Sequence, residues 1–407
     1  MKTAALVRSF FCIVGISFLA LQFIAPVPAL ADPPPACTPK PSPLPTPPFS
    51  GGPECPPATD CQPCVEDPNC SPPPWPSVSG NEPWMIPISG PTPGDGTHLE
   101  WRIFPPGWSY SPATSPSPWP SPQPPPGPAV LLVHGGSWVS GDPFQPQVER
   151  VAEIIAQDGF WVFVGDYRLA PCGKIPGQPP HPSVTPTPSG TPTPTPDPSG
   201  RPPEQTDDIM FLLNAIRLNE HFSGKVGIVA VSSGGNISSY VGLYRDTINQ
   251  SGRPQWNING DTDRPDCVVT FSSPFDLSDQ HPDDPDNGFD EYINGIHNYI
   301  GTCNRDVARQ ASPISLVTSG INSSFKPLFI IQAKDDPVCP SRQVDDLEAA
   351  LIDAGVGACK YQIALVPHDD QYHEVHGLRL WQAPDPNHPS EKIGKSVLLF
   401  LHQNLDN

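Results

Sequence analysis

The chain has little positive charge: 22 Lys+Arg stand against 42 Asp+Glu in 407 residues, a formal net charge of -20. Without a basic patch there is no electrostatic footprint for a phosphate backbone or an anionic membrane surface, so nucleic-acid binding is excluded. Long apolar runs are scarce as well. Apart from one near the start, no uninterrupted stretch approaches the ~17 residues that a membrane span needs at minimum. Residues 32–80 show almost no aliphatic periodicity and cannot bury enough apolar area to offset chain entropy. Metal-ligand patterns are missing too. Cys61-Gln-Pro-Cys64 has no second Cys-x-x-Cys and no nearby His to complete a zinc set, which leaves a structural disulfide as its reading.

Proline, in contrast, is in excess, with 63 residues against an ordinary share near ~5%. It lacks the backbone N–H and clashes with the preceding helical turn, so this excess belongs in loops and linkers. What remains is one domain of ~250–300 residues, long enough for a large core. The prolines gather in three runs. Residues 32–80 read as an extended tether pinned by disulfides. Ser109–Pro128 forms a second Pro/Ser run. The third is a Thr-Pro repeat starting at Thr185, expected to be polyproline-like and part of a surface-loop insertion over residues 172–205.

The first 31 residues have the features of an export signal. Lys2 and Arg8 give a basic start, Ser9–Ala25 is uncharged and mostly apolar, and Ala29-Leu30-Ala31 supplies a small-x-small cleavage site. The expected mature protein is soluble and extracytoplasmic, with no integral membrane segment. Removing Cys12 with the signal leaves ten cysteines, five before residue 71 and five after residue 171. An even number in an exported chain favours disulfides, and full pairing would require at least one bridge between the two halves.

From residue 84 onward, strand and helix patterns alternate. Buried-strand runs are Ala129–Val133, Trp161–Val164, Val226–Val231, Val268–Phe271, Leu328–Ile331 and Ile363–Val366. Helical patterns are Val148–Gln157, Asp208–Leu218, Asn236–Tyr244, Arg342–Ala354 and Ile393–Leu401, and His98–Phe104 alternates as an early antiparallel strand. This order predicts the α/β class, with a mostly parallel sheet and helices on both faces.

Three chemistry-bearing segments follow predicted strands, at the ends where open α/β sheets place ligands. His134-Gly135-Gly136-Ser137-Trp138 offers two glycines that let the backbone turn and aim N–H groups at one point, as an oxyanion hole requires. An ordinary Gly-rich turn is the bland alternative. Val231-Ser232-Ser233-Gly234-Gly235-Asn236 runs from strand into helix. A nucleophile elbow needs small residues two before and two after its serine; Ala230 and Gly234 meet that around Ser232, whereas Ser233 would be flanked by Val231. A simple Ser-Ser helix cap would look similar. Asp335-Asp336-Pro337-Val338-Cys339-Pro340 offers a carboxylate to orient a histidine, or is merely a solvated Asp-Pro turn. Downstream stand His368, His373 and His376. The order Ser, Asp, His is that of α/β-type hydrolases rather than of the two common protease arrangements. His373-Glu374-Val375-His376 is not the helical zinc motif, which needs histidines four apart.

From about Pro83 onward these motifs resemble an α/β-hydrolase, in the branch of acetyl-ester and feruloyl-type esterases, hormone-sensitive-lipase-like carboxylesterases and kynurenine-formamidase-like enzymes. His134–Trp138 resembles that branch's oxyanion motif. Asp166-Tyr167-Arg168-Leu169-Ala170-Pro171 resembles the structural motif after the family's fourth strand, Ser232–Asn236 its elbow, and Ala311-Ser312-Pro313-Ile314 the segment before its acid-bearing strand. The usual Gly two before the nucleophile is Ala230 here. Residues 1–80 and the Thr-Pro insertion lie outside the resemblance.

The resemblance implies a serine esterase with an α/β-hydrolase fold over residues 81–407 and a small cap over residues 274–321. Cys267 and Cys303 are placed to pin that cap. Ser232 is the implied nucleophile, Asp336 the acid with Asp335 as fallback, and His373 the base with His376, then His368, as alternatives. Backbone N–H groups of Gly135, Gly136 and Ser233 are the implied oxyanion hole. No cofactor and no metal is called for, and the expected partner is a small-molecule or carbohydrate-linked ester. The Pro-rich tether is a candidate for cell-surface association. Two other functions fit parts of the pattern: a prolyl-oligopeptidase-like serine peptidase, and an inactive surface binding protein.

Overall fold

The computed structural model describes residues 99, 101–107, 125–171, 200–218, 222–243, 264–280, 289–318, 321, 325–368 and 375–406. The expected signal and tether, the body of the Thr-Pro insertion and His373 therefore lie outside the described residues.

Among the described residues seven strands form one sheet in the order β1-β3-β2-β4-β5-β6-β7. They are β1 (Trp101–Phe104), β2 (Gly127–Val133), β3 (Trp161–Gly165), β4 (Phe222–Val231), β5 (Cys267–Phe271), β6 (Leu328–Ala333) and β7 (Tyr361–Val366). Only β1 pairs antiparallel, against β3, while the remaining neighbours run parallel. A small antiparallel pair, β8 (Pro384–Asp385) and β9 (His388–Lys392), stands apart from it.

Alternate residues of the strands feed two cores. Leu131, Val133, Phe163 and Ile228 face one side, where they pack with α2 (Glu204–Arg217), α3 (Ser232–Leu243) and α6 (Arg342–Asp353). Val130, Leu132, Val162 and Val229 face the other, with α1 (Pro146–Gln157) and α7 (Ile393–Leu405). Both faces of the parallel strands are thus buried, which explains why they read as nearly continuous apolar runs. In α1 the buried set is Val148, Val151, Ala152, Ile155 and Ala156, one stripe at helical spacing, and Pro146 starts the helix where its missing N–H costs nothing. All twelve residues of α3 are buried. That burial includes Asn236 of an N-x-Ser sequence, so this site is closed to glycosylation in the folded chain.

Residues 274–321 contain α4 (Phe289–Ile300), α5 (Arg305–Gln310) and a 3₁₀ turn at Pro313–Leu316. The sequence expectation was a polar cap without assigned helices. α4 carries Gly295 and several aromatic and β-branched residues, all weak helix formers, and its apolar side is Tyr292, Ile296, Tyr299 and Ile300. Tertiary packing, rather than propensity, forms it. α2 begins at Glu204, inside the stretch expected to be insertion.

Full cysteine pairing is overturned. Cys267, Cys339 and Cys359 are free thiols, the first two buried. Cys267 opens the interior strand β5, and its Sγ would lie 3.0 Å from a β-carbon on Gly227, so it packs as a small apolar side chain rather than pinning a cap. Cys303 is disulfide-bonded, but to none of these three. Among the described residues no helix is long and apolar enough to cross a membrane.

Candidate active site

β4 ends at Val231 and α3 begins with Ser232 at once, so the chain reverses without a connecting loop. Ser232 accordingly takes φ 53°, a left-handed conformation that costs a non-glycine residue energy. A nucleophile elbow stores this strain to hold its serine above the sheet. The neighbouring glycines are sterically required. A β-carbon on Gly234 would meet the His134 carbonyl oxygen at 2.1 Å, and one on Gly135 would meet Ser232 Cβ at 2.8 Å. Ala230 is fully buried and accommodated, so the departure from Gly at that position is tolerated.

The loop after β2 is built against this elbow. Ser137 and Trp138 both have positive φ, 50° and 63°, and Gly136 has φ 136° with the Ser140 carbonyl where a side chain would go. Several bonds hold these strained residues. Trp138 Nε1 donates to Asn236 Oδ1 at 3.3 Å, and Asn236 Nδ2 donates to the Pro274 carbonyl at 3.1 Å. Gln205 Nε2 and the Ala170 N–H both donate to the Trp138 carbonyl. One buried asparagine therefore joins α3, the Gly-Gly loop and the chain that leaves β5.

Asp166–Pro171 supplies the floor. His134 Nε2 donates to Asp166 Oδ1 at 3.0 Å, and its ring stacks on Tyr167 at 4.5 Å between centroids. The Tyr167 hydroxyl lies 3.2 Å from Ser233 Oγ and donates to the His134 carbonyl at 3.4 Å. Burial pushes the Tyr167 phenol well above its ordinary pKa, so it stays a hydroxyl. Arg168 makes a charge-assisted pair with buried Asp208 of α2, 2.7 Å from Nη2 to Oδ1, and its backbone N–H donates to Asp208 Oδ2. Asp208 does not stand out in sequence as a site residue, and Asn236 does so only as the end of the elbow motif, because the partners of both are remote in the chain.

Asp336 follows β6 and is 3% exposed. Its Oδ1 accepts from the backbone N–H groups of Val338 and Cys339, each at 2.9 Å. His376 Nδ1 donates to the same carboxylate, at 2.9 Å from Oδ1 and 3.0 Å from Oδ2. The adjacent Gly377 approaches Val231, next to Ser232: a β-carbon on Gly377 would sit 3.1 Å from Val231 Cγ2. Asp335 is engaged elsewhere, 2.7 Å from His368 Nδ1 on the exposed side. Of the three candidate histidines, Asp336 thus holds His376 and Asp335 holds His368.

The expected cap meets the Gly-Gly loop directly. Tyr299 of α4 stacks on Trp138 at 5.0 Å, and a β-carbon on Gly295 would lie 3.0 Å from Ser137 Cβ. Tyr292 receives a hydrogen bond from Gln343 Nε2 of α6 at 2.8 Å. Among the described residues no group of three or more His, Cys, Asp or Glu side chains is placed to hold a metal ion. A surface groove of about 520 Å³ beside Trp381, Lys392 and Lys395 includes none of Ser232, Asp336 or His376 among its lining residues.

Comparison with known proteins agrees with this architecture. The BD-FAE family model matches residues 204–351, a segment that holds Ser232, α4, α5 and Asp336. An acetyl ester-xyloside bifunctional hydrolase from Caldicellulosiruptor lactoaceticus is 17% identical with a TM-score of 0.51, over 80% of this chain and 98% of that one. A thermophilic esterase from Thermogutta terrifontis is 16% identical with a TM-score of 0.47, over 76% and 89%. A carbohydrate esterase from gut microbiota is 17% identical with a TM-score of 0.46, over 66% and 82%. No curated protein sequence matches the chain. The fold is that of the α/β-hydrolases. That reading rests on the strand order and on the likeness to the Caldicellulosiruptor structure.

Proposed function

We propose that the protein is an exported serine esterase that cleaves carboxylic esters through an acyl-enzyme, with Ser232 as nucleophile, His376 as base and Asp336 as acid. The observation that carries this reading is the hold of Asp336 on His376 Nδ1, with the following Gly377 packed against Val231, the residue before the strained Ser232. With Nδ1 donating to the carboxylate, Nε2 is the nitrogen left to accept the Ser232 proton. Ser232 Oγ then bonds to the ester carbonyl carbon, and the oxygen takes the negative charge. Backbone N–H groups of Gly135, Gly136 and Ser233 are the proposed donors to it; losing one such donor costs ~3 kcal/mol of transition-state stabilisation. The protonated His376 passes its proton to the departing alcohol. Water, activated by the same imidazole, releases the acid and regenerates Ser232. His373 lies outside the described residues, and the preference for His376 rests on its bond to Asp336.

The proposed substrates are small-molecule or carbohydrate-linked esters. An acetyl ester is the first to try, since the Caldicellulosiruptor neighbour is described with that activity. Export rests on Lys2, Arg8, the apolar Ser9–Ala25 and Ala29-Leu30-Ala31.

A fluorophosphonate probe should label the wild type covalently, and Ser232→Ala should abolish both labelling and p-nitrophenyl acetate hydrolysis, lowering kcat by ~10³-fold or more. Ser233→Ala should cost far less. Labelling at Ser233 or no labelling at all would overturn the assignment, and preference for a Pro-p-nitroanilide would indicate a peptidase.

A further inference from the structure

We infer that Ser272 is the positioning residue for the catalytic histidine, an inference that rests on the reading of His376 as the base. Ser272 is the first residue after β5 and is fully buried. It adopts φ 49°, so the ends of neighbouring strands β4 and β5 each carry a serine in the left-handed region. The two have different tasks. The backbone N–H of Ser272 donates to the Ile331 carbonyl of β6 at 2.9 Å, anchoring it to the strand that leads to Asp336. Its Oγ accepts from the backbone N–H of Gly377 at 2.8 Å.

Gly377 immediately follows His376, so this bond fixes the peptide that carries the imidazole. Gly377 itself has φ 75° and lies against Val231. The histidine loop is thus held at two points, by Asp336 at the ring and by Ser272 at the adjoining backbone. A right-handed conformation at position 272 would redirect the chain leaving β5 and carry Oγ away from Gly377. The strained φ is the condition under which the bond exists, in the way that functional sites retain unfavourable backbone conformations. Without Oγ, the buried Gly377 N–H loses its partner, and the loop can relax to satisfy it elsewhere.

Two substitutions separate this role from ordinary folding. Ser272→Ala removes Oγ and keeps the strain, whereas Ser272→Gly removes Oγ and relieves the strain. Both should lower kcat for p-nitrophenyl acetate by ~10-fold to 10²-fold, the scale of a misplaced catalytic group, with KM little changed. The Gly variant should do so with a smaller loss of melting temperature than the Ala variant, because both lose the bond to Gly377 and only Gly relieves the strain. A readout independent of turnover is the downfield proton resonance of His376 Nδ1–H, assigned by its loss in His376→Ala. It should broaden or exchange faster in both Ser272 variants.

Wild-type kcat and an unchanged resonance in both variants would overturn the inference. Full activity in Ser272→Gly with loss only in Ser272→Ala would also overturn it, since the backbone rather than Oγ would then matter. A wild type that hydrolyses no ester, with a resonance that still depends on Ser272, would leave the positioning standing and remove the esterase reading instead.

Discussion

Gly135, in the loop after β2, and Ser232, the first residue of α3, are 97 positions apart, yet they pack so closely that a β-carbon on Gly135 would lie 2.8 Å from Ser232 Cβ and 3.1 Å from the Val231 carbonyl oxygen. The proposed oxyanion donors and the proposed nucleophile are therefore one sterically coupled unit. Gly135→Ala should force them apart and lower kcat by ~10²-fold or more, the cost of a lost oxyanion donor. Steady-state kinetics on a soluble ester tests this, and near-wild-type turnover would disprove the coupling.

The Asp336–His376 and Asp335–His368 pairs make separate demands. His376→Ala should abolish ester hydrolysis, since Asp336 then has no ring to orient. His368→Ala should leave activity within a few-fold of wild type, because its partner Asp335 is not bonded to His376 among the described contacts. Should His373→Ala, rather than His376→Ala, be the inactivating change, the base assignment reverts to His373.

α4 should act as a docked part of the site. Gly295→Val would drive a branched side chain into Ser137 and separate Tyr299 from Trp138. The expected result is a kcat reduced by at least ~10-fold, with fluorophosphonate labelling slowed in parallel. Unchanged labelling would mean that α4 does not brace the Gly-Gly loop.

His402 of α7 lies between two carboxylates, 2.6 Å from Asp406 and 2.9 Å from Asp158 at the end of α1. Partial burial of the ring disfavours its charge, but the hydrogen bonds and charges of Asp406 and Asp158 outweigh this and raise its pKa. A histidine with a raised pKa stabilises the fold fully below its unfolded value of ~6.5 and loses that contribution as pH climbs through the folded value. His402→Ala should therefore lower the melting temperature by ~1–3 °C near pH 6, and by less at pH 9, as suits a half-exposed pair. An equal effect at both pH values would assign His402 a packing role against Phe160.

Thiol chemistry tests the cysteine assignment. Cys359 should react with iodoacetamide in the folded protein, while Cys267 and Cys339 should react only after unfolding, because burial pushes both thiols up and excludes reagent. Peptide mapping that finds Cys267 or Cys339 oxidised in the native protein would restore the original expectation of pairing.

Much was readable in the chain because its signals are local. Ala129–Val133 and Leu328–Ile331 appear as strands since both sheet faces are covered, and α1 appears because its apolar stripe repeats at helical spacing. Ser232 is marked by the small residues around it, and Asp336 by the turn that follows β6. These features depend only on neighbours in sequence. Other features depend on distant parts of the molecule. α4 is a helix because Ser137, Trp138 and Gln343 give its weakly helical sequence something to pack against. Cys267 stays a thiol because it faces Gly227 and α7, which no spacing rule could reveal. The pairing of Asp336 with His376, of Asp335 with His368, and of Ser272 with the backbone after His376 is decided where three parallel strands end side by side. Sequence order brings the right residue types to that edge; the register of the sheet and the paths of its loops decide which of them touch.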